Sequence, residues 1–395
     1  MLLSRPTALP SALLRQRYVQ RQVSSARFLS TSSTLQSTTA PPAWRFETAY
    51  SFHGKPGSPV YRPPGSAAPA EPEEGDNSGR PDWRTKKPKT LQQGLPADHP
   101  LSVWRDAQLA KAPWGAGHDW FFVEEQQEGR GVTVGVADGV GGWEESGIDP
   151  SHFSQALMWF AREAVRTEGF RSPKTLLDKA FEGVSNEKGV IAGSSTACIV
   201  SLDAATGLVR AANLGDSTFL LLRPSTSVDP SAEPTNPPSY TVVHNQPSQT
   251  HFFNAPRQLA KLPKGANKAG ALIDMPKDAD LVELMVQPGD ILLLATDGFS
   301  DNVFPTELEQ LVALVKHRVD NPPAEEAGQP DAEGRSLAQT LADVCVNFAR
   351  ICSFKPNKES PFEVEARRYG HHDLKGGKVD DVTVVAVVVE AAEQV

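Results

Sequence analysis

The chain has 395 residues, 39% of them hydrophobic, with 30 glycines, 33 prolines and a formal charge of −9. That is enough apolar material for a sizeable core, but the clustered prolines mark stretches that do not join it. No Lys/Arg-rich run appears in the body of the chain, which argues against a nucleic-acid partner. Three cysteines without CxxC spacing argue against a disulfide framework or a zinc knot, and Cys198 in TACIVSL reads as a small buried hydrophobe. No apolar stretch reaches the ~18 residues that span a bilayer, so a soluble protein with no transmembrane segment is expected.

The first forty residues differ from the rest. Arg5, Arg15, Arg17, Arg21 and Arg27 occur with no acid before Glu47, and Ser and Thr crowd residues 24–39. Leu13, Val19 and Val23 fall on one helical side with Arg17 and Arg21 beside it. This predicts an amphipathic transit peptide over 1–40, mitochondrial rather than chloroplastic from the arginine spacing, and hence a mitochondrial matrix protein. The plainer alternative is a disordered basic tail. Period-two alternation of Phe46, Thr48, Tyr50 and Phe52 then predicts a strand over 46–53. From Gly54 to about Pro100 the chain is rich in Pro, Gly and charge, and reads as a long flexible loop.

From Trp114 onward the pattern is globular. VTVGVA (132–137) reads as a buried strand. A helix is predicted over 151–167, capped by Asp149 with Pro150 in its first turn, and a second over 172–184. Strands follow at 195–202, 209–214 and 218–223. A Pro/Ser/Asp-rich insertion at 224–239 separates these from strands at 241–244, 281–286 and 291–296. Helices are predicted at about 306–318 and 336–353, and a β-branched strand at 382–390 closes the chain. Runs of strands with short turns predict stacked sheets flanked by helices, an α+β fold.

Four aspartates stand beside these apolar runs: Asp138 in VTVGVADGVGGW, Asp216 in AANLGDSTFLLL, Asp297 in ILLLATDGFSDN and Asp380 in KVDDVTVV. Singly, each has a bland reading, because Asp-Gly is a common turn dipeptide and Asp380-Asp381 could be a solvated loop. As a set they end strands, and carboxylates gathered at neighbouring strand ends repel one another unless a cation lies between them. Asp301 adds a second carboxylate four residues after Asp297. Hard oxygen donors without Cys or clustered His select Mg²⁺ or Mn²⁺. Two such ions about 3.5–4 Å apart activate a water for in-line attack on phosphorus. Competing motifs fail. GVADGVGG lacks the Walker lysine, GDST is not GDSGG, GSSTA is not a GxSxG elbow, and the DxD of Asp278 and Asp280 follows no apolar strand.

GVADGVGGW, GSSTACIVSLD, AANLGDS, THFFNAPRQL, TDGFSDN and GGKVDDVTVV resemble, in order, the sequence blocks of the metal-dependent PPM/PP2C protein phosphatases, most of all the mitochondrial PTC7-like branch. The resemblance covers 44–392, with Pro-rich, disordered insertions expected at 54–113 and 224–239. It implies a four-layer α-β-β-α sandwich of two mostly antiparallel sheets flanked by helices. By that resemblance Asp138 bridges two Mn²⁺ or Mg²⁺ ions, the Gly139 carbonyl binds one of them, and Asp297 and Asp380 complete the second ion's shell. Asp216 and Asp301 match positions that hold a third ion in some relatives. A metal-activated water attacks, Asp138 and Asp297 serve catalysis through it, and no phosphoenzyme forms. The implied substrates are mitochondrial phosphoproteins.

Three positions depart from the family's pattern. His118-Asp119 stands where Glu-Asp is usual, so His118 orients a water, binds Mn²⁺ or weakens the site. Val140 stands where many relatives carry a proposed histidine acid. Trp114 stands where many carry a phosphate-gripping arginine, which leaves Lys111 or Arg257 as substitutes. These departures sustain two other readings: a regulatory or binding protein on the same fold with weak or no turnover, and a phosphatase of small phosphate esters.

Overall fold

The computed structural model describes residues 44–57, 94–112, 114–126, 129–169, 171–225, 239–266, 270–322 and 336–392. The expected transit peptide at 1–40 lies outside them, as do 58–93 of the first insertion and 226–238 of the second. In chain order the first half comprises β1 (Trp44–His53), α1 (Pro100–Leu109), β2 (Asp119–Glu125), β3 (Gly131–Asp138), α2 (Ser151–Glu168), α3 (Pro173–Asn186) and β4 (Gly193–Ser195). Next come β5 (Ala197–Asp203), β6 (Leu208–Leu214), β7 (Thr218–Pro224), β8 (Tyr240–Asn245) and the short strands β9 (Thr250–Phe252), β10 (Ala255–Pro256) and β11 (Leu259–Lys261). The remainder holds β12 (Asp280–Met285), β13 (Ile291–Ala295), α4 (Asp297–Ser300), α5 (Pro305–Asp320), α6 (Leu337–Ser353), α7 (Pro361–Arg368) and β14 (Val382–Ala391).

Two five-stranded antiparallel sheets form the centre, ordered β1-β14-β13-β7-β8 and β12-β6-β5-β3-β2. α2 and α3 pack on the second sheet, and α5 and α6 on the first, while β13 and β14 of one sheet meet β2 and β3 of the other. The expected four-layer α-β-β-α sandwich is thereby observed. β14 shows why Val384 to Val389 run on unbroken by polar residues. Val385, Val387 and Val389 face the core between the sheets, whereas Val382, Val384, Ala386 and Val388 face the α5/α6 layer. A strand covered on both faces loses the usual alternation. β13 divides in the same way, Leu292 and Leu294 inward and Ile291, Leu293 and Ala295 outward. Each such Val or Leu contributes about 1.5–3 kcal/mol by leaving water.

Helix ends follow the expected chemistry. The Asp149 carboxylate accepts from the Ser151 N–H at 2.9 Å, and α2 stops at Gly169 with φ 72°. Ser172 accepts from the Thr175 N–H and Pro173 opens α3. Two expectations need correction. The loop and insertion expected over 54–113 contain α1, whose Leu101 and Leu109 are buried. His99 caps α1 by accepting from the Leu101 N–H at 3.2 Å, and Pro100 sits in its first turn, so the prolines that suggested disorder include a helix start. The strand expected over 195–202 divides at Thr196. β4 leaves the sheet to pair with β11, and Thr196 turns its hydroxyl to the Asp138 N–H at 3.0 Å. β2, β11, α4, α7 and the β9–β10 ribbon were not anticipated.

Candidate metal centre

Antiparallel register brings the aspartates to one end of the sandwich. β3 ends on Asp138, directly opposite Asp119 at the start of β2. Asp216 lies in the turn between β6 and β7, Asp297 follows β13, and Asp380 precedes β14. Asp138, Asp216 and Asp297 each offer a carboxylate oxygen within 4.8 Å of the others. Their backbones are fixed from several directions. The Asp138 carbonyl accepts from the Thr196 N–H at 3.0 Å and from Ser195 Oγ at 2.7 Å, and the Gly139 N–H donates to the His118 carbonyl at 3.1 Å. The glycine after Asp297 has a packing reason. A Cβ on Gly298 would stand 1.9 Å from the Asp381 carbonyl oxygen, so only glycine lets the loop before β14 close on the Asp297 turn.

This concentration of carboxylates carries a cost that shows in their acidities. Burial, then Asp297, Asp119, Asp380 and Asp216, push the Asp138 carboxyl well above the usual range. Burial raises Asp119 as well, with Asp381 next in effect, although the Thr296 hydroxyl donates to its Oδ2 at 2.7 Å. Asp216 is raised by burial and then by Asp297. Asp297 is pushed up to about 6 by burial, against the pull of Lys378, and burial raises Asp301 too. Asp380 moves the other way. Burial would raise it, but the ammonium groups of Lys378 and Lys55 hold it down at about 2.

The donor set fits a hard divalent cation. It consists of carboxylates, and the Asp216 Oδ1 and Asp119 Oδ1 atoms are buried with no hydrogen-bond partner among the described residues. Buried oxygens of this kind are rare unless another group completes them.

Two lysines of the site carried no sequence signal. Lys55 Nζ lies 2.9 Å from Asp380 Oδ1 and 3.6 Å from Asp381 Oδ2, and its backbone N–H donates to Asp381 Oδ1 at 2.7 Å. Lys378 Nζ contacts Asp297, Asp301 at 2.8 Å and Asp380 at 3.2 Å. His118 is buried with its Nε2 2.9 Å from Glu144 Oε1 and its Nδ1 3.8 Å from Asp381 Oδ2. Its backbone N–H donates to that same Asp381 oxygen at 3.0 Å. Asp381 and Glu144, neither singled out from sequence, thus flank the position where the family's glutamate is expected. Of the two substitutes considered for the missing arginine, Lys111 is engaged with Tyr50 Oη at 2.9 Å and lies over the Tyr50 ring. Arg257 adjoins the Asp216 turn, its carbonyl 2.7 Å from where a Cβ on Gly215 would stand. Trp114 is 58% exposed and stacks on His53, and the Val140 N–H donates to the Ser194 carbonyl.

A two-sheet sandwich with helices on both outer faces and a carboxylate cluster at one end has the architecture of the metal-dependent PP2C-type protein phosphatases. The comparisons agree. No family model matches, but a protein phosphatase PTC7 homolog of Xenopus laevis is 36% identical over 275 residues, 69% of this chain and 81% of that protein. A PTC7 homolog fig of Drosophila willistoni is 34% identical over 275 residues, 69% of this chain and 77% of that protein. Among solved structures, the photosystem II phosphatase PBCP is 25% identical, covers 73% of this chain and 96% of its own, and superposes with a TM-score of 0.52. The chain belongs to the PTC7 family of protein phosphatases.

Proposed function

We propose that this chain is a phosphoserine/phosphothreonine protein phosphatase acting on mitochondrial phosphoproteins with a pair of Mn²⁺ or Mg²⁺ ions. The observation that carries the reading is the convergence of Asp138, Asp216 and Asp297 within 4.8 Å at one sheet end. Asp138 and Gly139 would hold the first ion, and Asp138, Asp297 and Asp380 the second. Such a pair supplies Lewis acidity and an activated water for in-line displacement at phosphorus, with no phosphoenzyme. Asp119, bound by Thr296 and facing Asp138 across the strand pair, braces the cluster. His118 links Glu144 to the Asp381 side of the site and stands where the family's glutamate is usual. Lys55, whose side chain is 31% exposed, is the cation best placed to meet a substrate phosphate in place of the family's arginine. The arginine-rich, acid-free residues 1–40 support mitochondrial import.

The test is hydrolysis of a phosphoserine peptide by the purified protein with Mn²⁺. Activity should vanish with EDTA and with Asp138→Ala or Asp297→Ala. Activity that survives either treatment would overturn the reading. Turnover of small phosphate esters far in excess of phosphoproteins, compared as kcat/KM, would favour a metabolite phosphatase instead. Import of the full-length precursor into isolated mitochondria, with loss of its first residues, tests the location.

A further inference from the structure

Lys378 is the residue of the site that the phosphatase reading leaves without a task. It stands two positions before Asp380 in GGKVDD. Its backbone is clamped by the buried Asn302 amide, whose Oδ1 accepts the Lys378 N–H at 2.9 Å and whose Nδ2 donates to the Lys378 carbonyl at 2.8 Å. The same Nδ2 donates to the Gly298 carbonyl, one residue beyond Asp297. The lysine is therefore positioned by the turn that carries the carboxylates it meets.

An ammonium has three N–H donors. Lys378 faces three carboxylates: it donates to Asp297 and Asp301 and lies 3.2 Å from Asp380. Its head also lies over the Phe362 ring, 5.6 Å from the centroid, and only 16% of the side chain is exposed. Of the two aspartates matched to a third ion, Asp216 joins the cluster with Asp138 and Asp297, but Asp301 turns its Oδ2 to Lys378. With two divalent ions in place, the five carboxylates of Asp138, Asp216, Asp297, Asp301 and Asp380 would be met by those ions, by Lys378 and, at Asp380, by Lys55.

We propose that Lys378 is a built-in cation of this site. It takes up Asp301, one of the two carboxylates matched to a third divalent ion, in place of that ion, and it holds Asp297, Asp301 and Asp380 together when metal is absent. The ion count rests on the metal-phosphatase reading, whereas the metal-free role does not.

The experiment counts Mn²⁺ bound per full-length chain by equilibrium dialysis with metal analysis, and measures melting with EDTA and with saturating Mn²⁺. Wild type should bind two ions and Lys378→Met three, the extra one being lost again in Lys378→Met/Asp301→Asn. In EDTA, Lys378→Met should melt at least about 5 °C below wild type, as expected for stripping the counter-charge from buried carboxylates. Lys378→Arg, which keeps the cation, should restore most of that loss. If Lys378→Met folds only with Mn²⁺, that rescue supports the same role. Three ions on the wild type, or identical ion counts and metal-free melting for wild type and Lys378→Met, would overturn the proposal. A wild type that binds no Mn²⁺ would overturn the metal-phosphatase reading, and the EDTA melts would still judge the metal-free role.

Discussion

Without metal, the protein should lose stability as pH rises from about 4 to about 7. Burial carries the Asp297 pKa from 3.8 to about 6 in the folded chain, the Lys378 ammonium only partly opposing it. Between those values the folded protein keeps a proton that the unfolded chain has released, so the unfolding free energy falls as pH increases. At about 1.4 kcal/mol per pKa unit, Asp297 alone costs about 3 kcal/mol by pH 7. Asp119, Asp138 and Asp216 are displaced in the same direction and add to the slope. Asp380, held at about 2 by Lys378 and Lys55 in spite of its burial, contributes stability that is lost only as pH falls below about 4. It therefore does not mask the effect in the window that matters. Less than half of the Asp297 cost, roughly 1.4 kcal/mol, falls between pH 5 and pH 7, so at roughly 2 °C per kcal/mol for a domain of this size the melting temperature in EDTA should drop about 3 °C or more over that window, the other raised carboxyls adding to it. Saturating Mn²⁺ takes the place of the protons, so its binding should strengthen as pH rises and flatten or reverse the slope. Scanning calorimetry at half-unit pH steps, with EDTA and with Mn²⁺, makes the measurement, and Asp297→Asn provides the control because its metal-free slope should be shallower. A metal-free melting temperature that holds level or rises from pH 5 to pH 7, or an Asp297→Asn slope equal to wild type, would refute the reasoning.

Other substitutions separate the neighbouring parts of the site. His118→Glu restores the family's residue between Asp381 and Glu144; titration calorimetry should show Mn²⁺ binding tighter by about tenfold, or ~1.4 kcal/mol, alongside a lower melting temperature in EDTA from carboxylate repulsion. Lys55→Met should raise KM for a phosphopeptide about tenfold with a smaller change in kcat, as expected when a charge-assisted contact to phosphate is removed, and an unchanged KM would shift attention to Arg257. Gly117 has φ +61°, and a Cβ there would stand 1.9 Å from Asp381 Oδ1. Gly117→Ala should therefore cost about 3 kcal/mol in urea unfolding and weaken Mn²⁺ binding, because Asp381 cannot keep its bonds to His118 and Lys55.

The strands and the aspartates that end them were legible because both leave a local mark. β3, β7, β13 and β14 are apolar runs covered on two faces, and a charged residue at the end of such a run stands out. The unanticipated elements leave weaker marks. α1 sits beside a proline-rich stretch, and β9 and β10 are only three and two residues long, too short for any period to show. Asp119 was matched from the His118-Asp119 pair that stands where Glu-Asp is usual. Its partner Thr296, however, is one hydroxyl in a run of apolar residues, and only the closure of the two sheets brings it within 2.7 Å.

The lysines of the site are a different case, because their position depends on register rather than on composition. β1 pairs with β14 so that His53 stands opposite Val382. Two residues past that pair, Lys55 arrives beside Asp380 and Asp381, which precede Val382 on the facing strand. A slip of one residue in that pairing would move Lys55 by about 3.3 Å and turn β1 over, sending Phe52, which now packs in the core between the sheets, to the α5/α6 side and Ala49 the other way. The packing of β1 therefore fixes the ammonium that steadies Asp380, although more than three hundred residues separate the two in the chain. Lys378 is fixed by a shorter circuit, through Asn302 and the turn that follows β13. Carboxylates at strand ends declare the need for positive charge. Which strands meet, and in what register, decides how much of that charge the chain supplies for itself.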